Sequence, residues 1–296
     1  MTDQTLDDRP STPPQSQGGA DAPHDETARP AEERHGAPRD GAGTVLVLLH
    51  GFPVDHRMWD GVVDALHVGI PVLAPDLPGL GSAPLPADGA PSLDASADAV
   101  ATAVREAGHE RALVAGLSMG GYVALALAER HPGLVAGLAL VDTKATADAD
   151  DARANRLRVA DEVETAGSVD AVLGMVGSLL SATSVREHPG LPGEVTGWIG
   201  QQVPGGVAWS QRAMAGRPDR TPVLAGFDGP VVVVVGEDDT VTPLPGAQQM
   251  VDAATDATLV VVPGAGHLSA VEAPRAVAEA LAGLVRRDQE STAPAT

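Results

Sequence analysis

Three short segments hold the residue types that nucleophilic catalysis needs. Gly116-Leu117-Ser118-Met119-Gly120 is a G-x-S-x-G pentapeptide between an apolar run, Leu113 to Ala115, and a helix-forming run, Tyr122 to Glu129. In that setting it reads as a sharp strand-to-helix turn that lifts one serine hydroxyl out of the packed surface. A serine hydroxyl is a weak nucleophile alone, so the reading requires a base and an acid. Downstream the chain offers Gly236-Glu237-Asp238-Asp239 and Gly264-Ala265-Gly266-His267, in the order Ser, Asp, His. An imidazole titrating near neutrality can take the serine proton and return it to a leaving group. The chemistry these residues would support is acyl transfer to water.

Each position also has a plain structural reading. Ser118 could be incidental in a glycine-rich turn, but the preceding strand pattern, Gly120 and Gly121, and the following helix argue for the nucleophile. Of the nine histidines, His24, His35, His67, His109, His131 and His188 are read as surface or core residues. His267 differs because it follows a strand and a Gly-Ala-Gly turn near the chain end, where a loop can reach back over a sheet. Asp238 and Asp239 both follow the run Val231 to Val235. The spacing from Gly236 to Pro243 favours Asp239 as the acid, with Asp238 left open and Asp142, at the end of the preceding strand, as the structural alternative. The carboxylate not used is expected to cap or anchor a loop. An oxyanion would need donors, and the backbone N–H groups of Met119 and Phe52 are the candidates. His50-Gly51 reads as a strand-to-loop turn with His50 packed structurally.

The elements that must position these groups follow from the hydrophobic pattern. From Thr44 onward, short aliphatic runs alternate with helical patterns, which predicts a parallel sheet flanked by helices. Strands are expected at 44–49, 71–74, 111–115, 135–141, 231–235 and 258–262. Helices are expected at 92–108, 119–130 and 273–286. Between residues 144 and 228 the pattern is helical, with helices predicted over 150–166 and 169–180 and no convincing strand. The predicted organisation is a tail over 1–43, a first core part over 44–143, a helical cap over 144–228, a second core part over 229–288 and a disordered end over 289–296. The cap is expected to sit as a lid over the strand ends. Its apolar residues Met175, Leu179, Trp198, Trp209 and Met214 would line an acyl pocket or pack the cap helices on one another.

Composition narrows the function classes. The formal net charge is −21 and no Lys/Arg-rich run occurs, which argues against nucleic acid or an anionic membrane surface as partner. The absence of cysteine excludes disulfides, thiol catalysis and thiolate metal sites. No P-loop, no G-x-G-x-x-G after a strand and no zincin spacing is present, so neither a cofactor nor a metal is indicated. Only Leu6 is strongly apolar in the first 43 residues, which reads as a disordered acidic tail rich in Pro and Gly. No segment resembles a signal peptide or reaches the roughly 18 apolar residues of a membrane span, so cytoplasmic residence is expected.

Four blocks in order resemble the α/β-hydrolase superfamily: His50-Gly51-Phe52-Pro53, Gly116 to Gly121, Gly236 to Pro243, and Gly264 to Glu272. Asp55 to Asp60 and the loop Asp76-Leu77-Pro78-Gly79-Leu80-Gly81-Ser82 are similar to the small esterases and lactonases of that superfamily. The nearest types are the enol-lactone hydrolases and the pimeloyl-carrier-protein methyl ester esterases. The resemblance spans about residues 44 to 285. It implies an α/β-hydrolase fold, a triad of Ser118, Asp239 and His267, an oxyanion hole at Phe52 and Met119, and a small-molecule acyl substrate. Members that dehalogenate or open epoxides carry a carboxylate at the elbow, so the serine here argues against those activities. Two rivals use the same residues: another chemistry of the fold (carbon–carbon hydrolase, lyase or cofactor-free perhydrolase), and a hydrolase-like receptor that turns over slowly.

Overall fold

A computed structural model describes residues 1–2 and 43–292 of the chain. The expected tail over 1–43 therefore lies, except for its ends, outside the described residues. The aliphatic runs form six strands: β1 (Thr44–Leu49), β2 (Val72–Leu73), β3 (Arg111–Leu117), β4 (Val135–Val141), β5 (Val231–Gly236) and β6 (Ala257–Val262). They make one sheet in the order β2-β1-β3-β4-β5-β6, with every pairing parallel. Parallel strands covered on both faces read as unbroken apolar runs, and β4 and β5 are buried at every residue. β6, at the edge, is only partly covered.

Helices flank the sheet: α1 (Asp60–Ala65), α2 (Leu93–Glu106), α3 (Met119–Arg130), α11 (Leu244–Ala253), α12 (Ser269–Glu272) and α13 (Pro274–Thr292). Ser92 caps α2, its hydroxyl accepting from Asp94 N at 3.1 Å. The chain leaves β1 toward β2 on one side and returns to β3 on the other. The carboxyl ends of β1 and β3 therefore flank the point where strand order reverses, which is where α/β sheets open a crevice.

Between β4 and β5 lie α4 (Asp150–Ala166), α5 (Asp170–Leu173), α6 (Val176–Leu179), α7 (Ala182–Glu187), α8 (Leu191–Gly200), α9 (Pro204–Ala215) and α10 (Thr221–Ala225). No strand occurs there among the described residues. The single helix expected over 169–180 is divided, because the chain breaks at Gly174, the C-cap of α5. β2 is shorter than expected, and α13 runs to Thr292, into the stretch expected to be disordered.

This helical insertion is fastened to the core at three stations. Leu268 N donates to Leu179 O at 3.0 Å, and Ser181 Oγ to Gly264 O at 2.6 Å. Gln202 accepts from Gly81 N and donates to Asp55 Oδ2, both at 2.8 Å. The Arg217 guanidinium lies 4.0 Å over the Tyr122 ring of α3, and Arg220 pairs with Glu129 and Asp94. No described helix is long and apolar enough to cross a membrane.

Candidate active site

Ser118 sits between β3 and α3 with φ 53° and ψ −110°, a left-handed conformation that costs a non-glycine residue about 1–3 kcal/mol. The neighbours impose it. A Cβ at Gly116 would strike the backbone of Gly120, one at Gly120 would strike Leu49 O, and one at Gly121 would strike the Thr143 side chain. Ser118 N donates to Val141 O at 2.9 Å, and Thr143 Oγ1 donates to Ser118 O at 2.7 Å. The turn is thus clamped from β4 while its hydroxyl stays half-buried.

His267 lies on the loop after β6 and is 2% exposed. Its Nε2 is 2.9 Å from Ser118 Oγ, and its Nδ1 is 2.9 Å from Asp239 Oδ2. A ring that donates Nδ1–H to the carboxylate keeps a lone pair on Nε2 for the serine proton. Asp239 also accepts from Val241 N (2.8 Å), Thr242 N (3.0 Å) and Thr242 Oγ1 (2.7 Å). Burial pushes its carboxyl up, but the bonds from His267 and Thr242 outweigh that and hold it below the usual carboxylate range. Asp238 is exposed and meets Ala265 O only through its N–H. Asp239 is therefore the carboxylate that meets the imidazole.

Met119 is the first residue of α3, so its N–H has no partner within the helix. The loop carrying Phe52 lies against the elbow, since a Cβ on Gly51 would fall 3.7 Å from Ser118 Cβ. His50 holds that loop. Its Nδ1 bonds Gly51 O at 2.9 Å and its Nε2 accepts from Leu77 N at 2.8 Å, which selects the neutral Nδ1–H tautomer. Burial, opposed by the bond to Gly51, lowers its pKa and keeps it neutral.

The five apolar insertion residues are scattered. Leu179 is buried beside the histidine loop, and Met214 is buried with its sulfur 3.3 Å from Arg156 Nη1. Trp198 lies 6.0 Å from the Arg57 guanidinium, while Met175 and Trp209 are half-buried against the core. Two further carboxylates anchor the loops beside the histidine, and of these the sequence signalled Asp142 but not Glu272. Glu272 accepts from Gly266 N, Leu268 N and Ser181 N at 2.9, 3.2 and 2.8 Å. It fixes the backbone on either side of His267 and joins it to the insertion. Asp142, fully buried, accepts from Gly236 N and Ser269 N and does not serve as the imidazole's hydrogen-bonded acid.

Among the described residues, Asp55, His56 and Asp76 bring potential metal-ligand atoms within 4.8 Å of one another. Those atoms have internal partners: Asp55 pairs with Arg57, and Asp76 accepts from His56 and Ser82. The trio is satisfied as a loop anchor.

Residues 46–280 match the family model described as "Alpha/beta hydrolase family". A pimeloyl-[acyl-carrier protein] methyl ester esterase of Neisseria meningitidis serogroup C is 33% identical over 213 residues, which are 67% of this chain and 76% of that protein. The solved structure of a thermophilic esterase from Thermogutta terrifontis, with malate bound, matches with a TM-score of 0.79 at 34% identity, over 84% of this chain and 91% of that one. The enol-lactonase from Burkholderia xenovorans LB400 shares the fold, with a TM-score of 0.75 at 24% identity over 86% and 94% of the two chains. By family model, relatives and sheet topology, this chain belongs to the alpha/beta hydrolase family and is one of its carboxylic ester hydrolases.

Proposed function

We propose that the chain cleaves a carboxylic ester, thioester or lactone through an acyl-enzyme on Ser118. The observation that carries this reading is the unbroken relay Ser118 Oγ, His267 Nε2, His267 Nδ1, Asp239 Oδ2, with both gaps at 2.9 Å. His267 takes the hydroxyl proton as Ser118 Oγ attacks the acyl carbonyl. The oxyanion forms against the N–H groups of Phe52 and Met119, and Asp239 holds the tautomer and offsets the imidazolium charge. The tetrahedral intermediate expels the alcohol or thiol, which receives the proton from His267. Water, deprotonated by the same imidazole, then attacks the acyl-enzyme, and Ser118 regains its proton as the acid leaves.

The helical insertion (144–228) roofs the strand ends in this reading and selects the acyl group. Its three stations of hydrogen bonds and ion pairs favour a fixed roof over a swinging one. The substrate class, a small acyl compound, is supported by the names of the relatives: a methyl ester of an acyl carrier conjugate for one, a lactone for another.

Ser118→Ala is expected to abolish turnover of a short p-nitrophenyl ester, with a loss approaching about a millionfold. A fluorophosphonate should modify the wild type at the peptide holding Ser118. Turnover surviving in a clean Ser118→Ala preparation, or labelling at another serine, overturns the proposal.

A further inference from the structure

We propose that Asp142 is a positioning residue for this relay: its buried carboxylate ties the loop carrying Asp239 to the loop carrying His267 and places a second negative charge near the imidazole. The proposal rests on the reading of Ser118, His267 and Asp239 as the reacting set. Asp142 follows the last residue of β4, and its N–H continues the sheet by donating to Val234 O at 2.8 Å. One carboxylate oxygen accepts from Gly236 N at 2.8 Å, the other from Ser269 N at 3.0 Å. Gly236 stands three residues before Asp239, and Ser269 two residues after His267. The same two loops meet directly here, since Asp238 N donates to Ala265 O at 2.9 Å and a Cβ at Gly236 would strike Gly266 O.

The residue type is informative. Two N–H groups from two loops require two acceptor oxygens on one short side chain. Asparagine offers only one and would turn its amide NH₂ toward the other N–H. Asp142 is also costly. It is 0% exposed, no ion pair to a lysine or arginine is found for it among the described residues, and it holds a left-handed φ of 43°. A fully buried charge and a strained backbone at one position point to a role beyond packing.

The charged groups that act on Asp142 are His267 and Asp239. Burial, above all, pushes its carboxyl up to about 7, while His267 pulls down and Asp239 pushes further up. Asp142 therefore changes charge near neutrality, and that change is felt at His267. An ionised Asp142 favours the imidazolium that forms when Ser118 gives up its proton.

The test compares the full-length wild type with Asp142→Asn, reading kcat and KM for p-nitrophenyl butyrate across about pH 5 to 9. Removing a negative charge near the imidazole should move the acid limb of kcat/KM to lower pH, by about half a unit or more. In the plateau, kcat should fall about tenfold to a hundredfold, with KM within about twofold. An unmoved limb overturns the proposal, whether or not kcat falls, because loss of activity alone is what a purely structural residue would give. If the variant does not fold, NMR of the wild type decides: the His267 ring protons are expected to shift in step with ionisation of the Asp142 carboxyl, and ring signals indifferent to it overturn the proposal. Turnover by Ser118→Ala in the same assay would instead remove the relay reading, whatever Asp142→Asn does.

Discussion

Around the imidazole, carboxylates do most of the positioning through backbone N–H groups. Glu272 grips the amides before and after His267 and the amide of Ser181. Glu272→Ala should leave these donors without a partner, cost about 1–3 kcal/mol for each that stays buried, and lower kcat by about tenfold or more. Glu272→Gln, which keeps one acceptor, should recover part of both, and steady-state kinetics with thermal melts would show it. Asp142 leaves a separate mark on stability. Its pKa rises from an ordinary 3.8 to about 7 on folding, so between those values the folded state keeps a proton that the unfolded state has lost. Stability from this group is full below about pH 4, falls as pH rises toward 7, and stays reduced above it. The effect of Asp142→Asn on stability relative to wild type should therefore be more favourable at pH 8 than at pH 5, by about 3 kcal/mol for the roughly two pH units between 5 and 7. Equal shifts at the two pH values would contradict this. The meeting of Ser118, His267 and Asp239 was legible because each sits at a fixed offset from glycines that mark a turn. The role of Glu272 was not, since its partners are main-chain amides that any residue supplies, whereas the sequence already pointed to a loop anchor at Asp142.

Elements tell a similar story with different gaps. β1, β3, β4 and β5 were legible because burial on both faces leaves no polar position inside the run, whereas β2 is partly covered and shorter than its sequence suggested. The break at Gly174 was hidden by an apolar stretch that reads equally well as one helix. The last turn of α13 was hidden by its polar sequence. It is held by Asp288, which pairs with Arg111 on β3, and by Ser291 and Thr292 hydroxyls donating to Asp288 O. The seat of the insertion depends on glycine. A Cβ at Gly206, in the first turn of α9, would overlap Gly79 O on the loop after β2. Gly206→Ala should push α9 off that loop, costing about 1–3 kcal/mol, and raise the ester KM while fluorophosphonate labelling of Ser118 stays within a few-fold. Loss of labelling together with binding would show that the insertion and the elbow are not separable in this way.

Over the whole molecule, 40 acidic against 19 basic side chains leave a charge of −21 that opposes compaction. Raising sodium chloride from near zero to about 0.5 M should therefore raise Tm, because screening relieves more repulsion than it removes from exposed ion pairs. A fall in Tm over that range would mean that the ion pairs around Asp148, Arg217 and Arg220 dominate. The layout of the sheet has a practical bearing as well. The chain enters β1 at Thr44, and Arg287 near the end of α13 reaches Val231 O at the start of β5. Both described ends of the core thus leave from the amino edge, about 20 Å of strand away from Ser118. A bead, surface or fusion partner attached at Thr44 or at Thr292 would hold the enzyme from behind, with its reactive mouth turned toward the solution.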